Sequence, residues 1–296
     1  MFLPAEYELL DFGRGRKLER FGSLTLDRPS PAAEGISPGK PEWWSSATAR
    51  FERGTGETGQ WIVKDSFATA SLTESWTIAH GNLKFMLKPT DFGHVGLFPE
   101  QQVNWDWLTQ TLAIANRPLK VLNLFAYTGG STLAVAGAGA EVVHVDAAKN
   151  VVDWARQNAA LSGLEQAPIR WIVEDVMKFV RREVKRENRY DAVILDPPSY
   201  GHGPKGETWK IDEHLPELLD LCGELTSGEP TFVIATCHSA GWDADPLGRE
   251  LRQRCAYNLK ASACKIETES LDLNTIGNRS LPSGVVARIL ASGTGE

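Results

Sequence analysis

Beyond residue 118 the chain alternates short apolar runs with segments whose apolar positions recur every three or four residues. Leu119–Phe125, Glu141–Asp146, Ile169–Val173, Ala192–Leu195 and Thr231–Ala235 read as strands. Between the second and third, Val151, Val152, Ala155 and Ala159 share one helical face, which stops at Leu161-Ser162-Gly163; Asp175 reads as the N-cap of the next helix. Cys264–Leu273 and Val285–Leu290 read as a closing antiparallel pair. Strands that alternate with helices predict an α/β fold, a parallel sheet covered on both faces.

The first 85 or so residues show another pattern. Gly and Pro break them into short alternating runs such as Trp61–Val63 and Ser75–Ala79. The Gly81-Asn82 turn leads into a run with Leu83, Phe85 and Leu87 on one face, which predicts a hairpin. The expected division is a small β-rich module over 1–90 and a larger α/β domain over 91–296. Six of the ten tryptophans lie between residues 43 and 107, and they read as core filler of the module or as the lining of a cleft.

Composition narrows the function. With 296 residues, 42% hydrophobic and 23% charged, the chain is an ordinary globule and not a disordered one. The 31 basic and 38 acidic side chains leave a net charge of −7, so contact with nucleic acid must rest on local patches. Two qualify: Lys178, Arg181, Arg182, Lys185, Arg186 and Arg189 at one-face helical spacing, and Arg14, Arg16, Lys17 and Arg20 in the module. No run approaches a membrane span of about 18 apolar residues, and Met1–Glu6 has no signal-peptide character, so a cytoplasmic location is expected. The four cysteines show no ligand-like spacing; reduced thiols and no metal site are expected.

In an open α/β sheet, ligands bind at the carboxyl ends of the strands. Four such ends carry suitable groups. The first opens into Asn123-Leu124-Phe125-Ala126-Tyr127-Thr128-Gly129-Gly130, where glycine lets the backbone approach a ligand. The second ends in Asp146, placed for ribose hydroxyls; the third leads to Asp175 and Val176, placed for an adenine; the fourth ends in Asp196. The turn has neither the G-x-G-x-x-G of a dinucleotide site nor a Lys-Ser/Thr phosphate cradle. A nucleoside without a pyrophosphate fits better, and S-adenosylmethionine is one.

Val121–Gly130 (VLNLFAYTGG), His144–Asn158 (HVDAAKNVVDWARQN) and Asp196–Ser199 (DPPS), preceded by Gly96–Gln101 (GLFPEQ), resemble the class I S-adenosylmethionine-dependent methyltransferases. More narrowly, they are similar to the bacterial branch containing the large-subunit ribosomal RNA 5-methylcytosine methyltransferases. The resemblance implies a seven-stranded, doubly wound, Rossmann-like sheet with cofactor contacts at Asn123, Phe125, Tyr127, Thr128, Gly129, Asp146, Asp175, Val176 and Asp196. It also implies an RNA substrate, ribosomal RNA in particular. Phe125 and Tyr127 stand where the family's turn has glycines, and Asn123 where many relatives have an acid.

Two residues carry the expected chemistry. Asp196-Pro197-Pro198 forms a rigid edge beside the transfer point. Cys237, in Ala235-Thr236-Cys237-His238, sits where a thiol would add to carbon 6 of a cytosine, although a cysteine at a strand end also reads as a small buried apolar residue. Tyr200–Trp209 reads as a substrate lid or a crossover. The alternatives to an RNA base are a small molecule, a protein side chain, or a cofactor-binding assembly factor without catalysis.

Overall fold

The computed structural model describes all residues except 57, 65–71, 73–74, 116, 204–205, 240, 261–262 and 292–296. The chain forms two compact units: Met1–Val103 with Asp272–Ser283, and Asn104–Leu271 with Gly284–Glu296. The larger unit therefore begins later than the pattern suggested, and the tip of the last hairpin belongs with the first unit.

In the first unit, β1 (Tyr7–Gly13), β2 (Arg16–Phe21), β3 (Leu24–Pro29), β4 (Ala49–Arg53) and β5 (Gly59–Val63) form a five-stranded sheet in that order. β3 and β4 are parallel and the other neighbours antiparallel. β6 (Trp76–His80) and β7 (Leu83–Leu87) pair as the expected hairpin, with His80 opposite Leu83. The core is built on Leu9, Phe12, Leu18, Phe21, Leu26 and Phe51. Tryptophan does not fill it: Trp43 is exposed, Trp44, Trp61 and Trp76 are half-buried, and Trp105 and Trp107 lie in the other unit. Phenylalanine wins the core positions because it has no N–H that must find a partner when buried. A polar exception is Glu19, fully buried, which accepts from Tyr7 at 2.9 Å and from Arg28 at 2.6 and 2.8 Å. Burial alone would raise its pKa, but Arg28 and Lys17 outweigh that and hold it below the usual carboxylate range.

The second unit carries β8 (Lys120–Leu124), β9 (Glu141–Asp146), β10 (Ile169–Val173), β11 (Ala192–Leu195), the short β12 (Tyr200–His202) and β13 (Thr208–Lys210), then β14 (Phe232–Cys237), β15 (Cys264–Asn274) and β16 (Ser280–Ala291). Its helices are α1 (Gln102–Ala113), α2 (Gly130–Gly137), α3 (Lys149–Leu161), α4 (Val176–Lys185), α5 (Ile211–Leu225) and α6 (Ala244–Cys255). The main sheet has seven strands in the order β10-β9-β8-β11-β14-β16-β15. Its first five are parallel and β16 runs antiparallel to β14. The doubly wound, seven-stranded expectation holds.

Alternate residues of each inner strand feed opposite faces, which is why those strands read as unbroken apolar runs. Leu122, Leu124, Val143, Val193, Leu195 and Val233 pack with Phe179, Leu218 and Leu251 of α4, α5 and α6. Val121, Val142, Ala192, Ile194 and Phe232 pack with Leu108 of α1 and Val135 of α2. The chain winds outward from β8 through β9 to β10 and returns on the other side at β11. This reversal opens a crevice at the carboxyl ends of β8 and β11.

Candidate cofactor and transfer site

The turn leaving β8 is unusual in its backbone. Phe125 has φ of 55°, Tyr127 of 48° and Gly129 of 92°, so two residues with side chains occupy the left-handed region in a five-residue stretch. Such a position costs a side-chain-bearing residue about 1–2 kcal/mol, and it persists only where its surroundings over-determine it. Here they do. Ala126 donates its N–H to Val145 O at 3.1 Å, and Gly129 its N–H to Ala126 O at 3.0 Å. Asn158 Nδ2 of α3 donates to Thr128 O at 2.9 Å. A Cβ on Gly129 would stand 3.2 Å from Ala155 Cβ, so glycine there serves both the turn and the approach of α2 to α3.

Asp146, at the end of β9, meets that turn. Tyr127 N–H donates to its Oδ2 at 2.9 Å and Ala148 N–H to its Oδ1 at 3.0 Å. Burial raises its pKa, partly opposed by backbone N–H bonds from Ala148, Tyr127 and Ala147. An ionised carboxylate has about four acceptor positions, so beyond these three backbone bonds capacity is left for a further donor such as a ribose hydroxyl. Beneath the turn runs a buried polar chain: Asn123 Nδ2 donates to Thr132 Oγ1 at 2.8 Å, and Thr132 Oγ1 lies 2.9 Å from His144 Nδ1. Asn123 and Thr128, both expected at the cofactor, are buried in the structure.

Asp175 caps α4, with Oδ1 accepting from Lys178 N–H at 2.9 Å. The Val176 side chain is buried in the core cluster of the sheet. Asp196 leaves β11 beside β14: Thr236 Oγ1 donates to its Oδ1, and His238 Nε2 lies 3.4 Å from the same oxygen. Ser239 Oγ donates to Ser199 Oγ at 2.6 Å, drawing the segment after the prolines to the one after Cys237. Cys237 itself is buried. Burial raises its thiol pKa, the Asp196 and Asp212 charges add to the rise, and Ser239 bonds counter it.

The stretch read as a lid folds into a ribbon, with β12 antiparallel to β13 and Gly201 opposite Trp209. Of its polar residues, Glu207 pairs with Lys178, and Lys205 lies outside the described residues. Trp209 is the residue that sequence reasoning missed. Its ring lies 4.8 Å from that of Phe125, and its Nε1 donates to Pro198 O at 2.7 Å. The only signal for it was an apolar aromatic closing an otherwise polar, glycine-rich stretch.

The basic face proposed along α4 is shorter than its spacing suggested. The helix ends at Lys185 with Arg186 as C-cap, and Glu187 turns left-handed with φ of 56°, so Arg189 falls beyond it. Lys178 pairs with Glu207, Arg181 with Glu217, Arg182 with Glu174 and Arg186 with Glu183. Four of the five cations from Lys178 to Arg186 are thus matched by carboxylates, and Lys185 is exposed.

Three carboxylates at neighbouring strand ends, with no cationic side chain in the Phe125–Gly129 turn, match a nucleoside that carries a cation and no phosphate. S-adenosylmethionine fits the donor set. Asp146 would hold the ribose, the turn from Phe125 to Gly129 would pass close to the amino-acid end, and Asp196 would border the sulfonium.

Comparison with known proteins supports S-adenosylmethionine as the cofactor class. A model of the S-adenosylmethionine-dependent methyltransferase family matches residues 61–234. The chain is 38% identical to an S-adenosylmethionine-dependent methyltransferase from Agrobacterium tumefaciens, with a TM-score of 0.86 over 96% of this chain and 89% of that one. Ribosomal RNA large subunit methyltransferase I of Aeromonas hydrophila is 34% identical over 122 residues, 41% of this chain and 30% of that protein. Ribosomal RNA large subunit methyltransferase K/L of Syntrophotalea carbinolica is 34% identical over 164 residues, 55% of this chain and 22% of that protein. The matched segment spans less than a third of either curated relative.

Proposed function

This chain belongs to the S-adenosylmethionine-dependent methyltransferase family, and on that premise we propose that it methylates a base of ribosomal RNA. The observation that carries the reading is the junction of Asp196 with Thr236 and His238, beside the buried Cys237, at the same sheet end as Asp146. Kinship with large-subunit ribosomal RNA methyltransferases supports the substrate class. No helix among the described residues is long and apolar enough to cross a membrane, and from an RNA substrate of this class we infer a cytoplasmic location.

When bound, S-adenosylmethionine supplies an electrophilic methyl group. The protein's part is to hold the acceptor in line with it and exclude water. Pro197 and Pro198 fix the backbone after Asp196, and Trp209 closes over Pro198 and Phe125. For a cytosine carbon, the Cys237 thiolate bonds to carbon 6 and drives the ring's electron pair onto carbon 5, which then takes the methyl group. Loss of the carbon 5 proton to a base, the role we assign to Asp196 with His238, lets the sulfur–carbon bond break and returns the thiolate. Burial holds the thiol above its ordinary pKa, so the thiolate forms only by passing its proton to a base, for which we propose His238, the next residue in the chain.

The test is methyl transfer from radiolabelled S-adenosylmethionine to unmodified ribosomal RNA, with nucleoside analysis of the product, for wild type and Cys237→Ala. Labelled 5-methylcytosine that disappears in the variant supports the carbon reading. Labelled product that persists in the variant assigns the reaction to an exocyclic amine. Absence of transfer by the wild type contradicts an RNA substrate.

A further inference from the structure

The first unit contains a cavity of about 610 Å³ that the methyl-transfer site does not use. A volume of this order is in the usual range for small-ligand sites. Four cations line it, Arg14, Arg16, Arg50 and Lys64, against one carboxylate, Asp27, with the half-buried Trp44 on its wall. The sequence showed only part of this. Of the cluster Arg14, Arg16, Lys17 and Arg20, Lys17 is paired with Glu19 and Arg20 with Glu8, whereas Arg50 and Lys64 arrive from β4 and the end of β5.

The cations divide into a fixed base and a presented rim. Arg16 is structural: its Nε donates to Asp27 Oδ1 at 2.5 Å, and its Nη2 donates to the carbonyls of Asp27 and Phe51 at 3.1 and 3.0 Å. That consumes the lone acid. Arg50 is exposed and reaches Asp27 only at 3.7 Å and Glu52 at 3.4 Å. Lys64 donates to Ser45 O at 3.0 Å from an exposed position. The Arg14 guanidinium has no partner among the described residues.

Arg14 is also conformationally out of place. It and Gly15 form the two-residue turn between β1 and β2, with φ of 54° and 71°, and Gly13 pairs with Arg16 across it. This is the geometry in which Asn or Gly is favoured at the first position. An arginine held there spends stability to present a charge, and strain of that kind concentrates at functional positions. Trp44 is pinned as well, since its Nε1 donates to Asp11 Oδ2 at 2.8 Å, and Asp11 also accepts from Gly39 and Lys40 N–H at 2.9 Å each. The indole is a preorganised plane beside a rim of cations, which is how single-stranded nucleic acid is held without sequence readout.

We propose that this cavity docks single-stranded RNA, taking phosphates on Arg14, Arg50 and Lys64 and stacking a base on Trp44. The proposal rests on the RNA reading above and adds to it a second contact site, in the β-rich unit. The shared chemistry, a phosphate next to a planar base, is also that of a free nucleotide, and the test separates the two.

The experiment is fluorescence polarisation of a labelled single-stranded RNA dodecamer with the full chain, over a series of salt concentrations. Each neutralised phosphate contributes about 0.7 to the salt slope on a single strand. The variant R14A/R50A/K64A is therefore expected to lower the slope by about 2 and to weaken binding on the order of a hundredfold at 0.1 M salt. Arg14→Gly is expected to weaken RNA binding while keeping or raising the melting temperature, because it removes the charge and relieves the turn; a purely structural Arg14 would leave binding unchanged. Affinity and slope unchanged in the triple variant, or no RNA binding by the wild type, would overturn the proposal. So would uridine monophosphate binding as tightly as the dodecamer, which would assign the cavity to a free nucleotide. Methyl transfer is scored separately: transfer that is indifferent to the triple variant leaves the function standing without this site, and binding through these residues without transfer leaves the site without the function.

Discussion

Trp209 bridges the two halves of the candidate site: its ring stands 4.8 Å from that of Phe125 at an interplanar angle of 58°, and its indole N–H reaches Pro198 O at 2.7 Å. One contact is to the turn that would carry the cofactor, and the other is to the segment that would border the methyl acceptor. Phe125 is held in a left-handed backbone position, so its ring has a fixed direction for Trp209 to pack against.

Truncating Trp209 should therefore damage both stability and turnover. Trp209→Ala removes a nearly fully buried indole and is expected to cost about 3–5 kcal/mol. Trp209→Phe keeps the packing but leaves Pro198 O without this donor, at about 1 kcal/mol. In denaturant titrations the phenylalanine variant should unfold close to wild type. Its methyl-transfer rate should nevertheless fall, because the Pro198 segment is no longer tied to the turn. A phenylalanine variant with wild-type turnover would show that the tie is only structural.

The left-handed turn makes a prediction of opposite sign. Tyr127→Gly removes a side chain from φ of 48° and should stabilise the fold by up to about 1 kcal/mol, less any packing the ring contributes. Tyr127→Val, a branched residue at that φ, should destabilise it. Paired thermal melts of the two variants check the order; the reverse order would mean that the tyrosine ring, not the backbone, governs the position.

His144 gives a pH signature. It is fully buried, and burial first, then the Arg156 charge, lowers its pKa to about 3. The fold thus favours the neutral ring, whereas the unfolded chain binds a proton near pH 6.5. Stability from this group is whole above pH 6.5 and is lost as the pH falls from there towards 3, at up to about 1.4 kcal/mol per pH unit. Unfolding free energies measured between pH 4 and 8 should show this slope in wild type and a shallower one in His144→Asn. Equal slopes would mean that the imidazole titrates in the fold.

The parallel sheet was legible because burial on both faces writes continuous apolar runs into β8, β9, β11 and β14, and Asp146 and Asp175 were legible because strand and helix ends are marked by local sequence. Trp209 was not, since its role depends on a ribbon pairing that places Gly201 opposite it, and two short strands within a polar stretch leave little periodicity. The cavity of the first unit was half legible for a related reason. Arg14 and Arg16 are neighbours in sequence, but Arg50 and Lys64 join them only through the β3–β4 and β4–β5 pairings. The end of α4 was overrun because charge spacing continued past Arg186, and nothing in composition announces that Glu187 turns left-handed.

The most direct test of the assignment is calorimetric titration of S-adenosylhomocysteine into wild type and Asp146→Asn at neutral pH and at stepwise lower pH. Burial sets the Asp146 pKa above its ordinary value. Its protonation as the pH falls removes the ribose acceptor earlier than an ordinary aspartate would, even though it relieves the fold of a buried charge. Wild-type binding at neutral pH is expected to weaken on acidification at a higher pH than an ordinary aspartate would set, and binding is expected to be at least about tenfold weaker in Asp146→Asn for a lost charge-assisted bond. Wild-type affinity retained in the variant, or no binding by the wild type, would contradict the assignment.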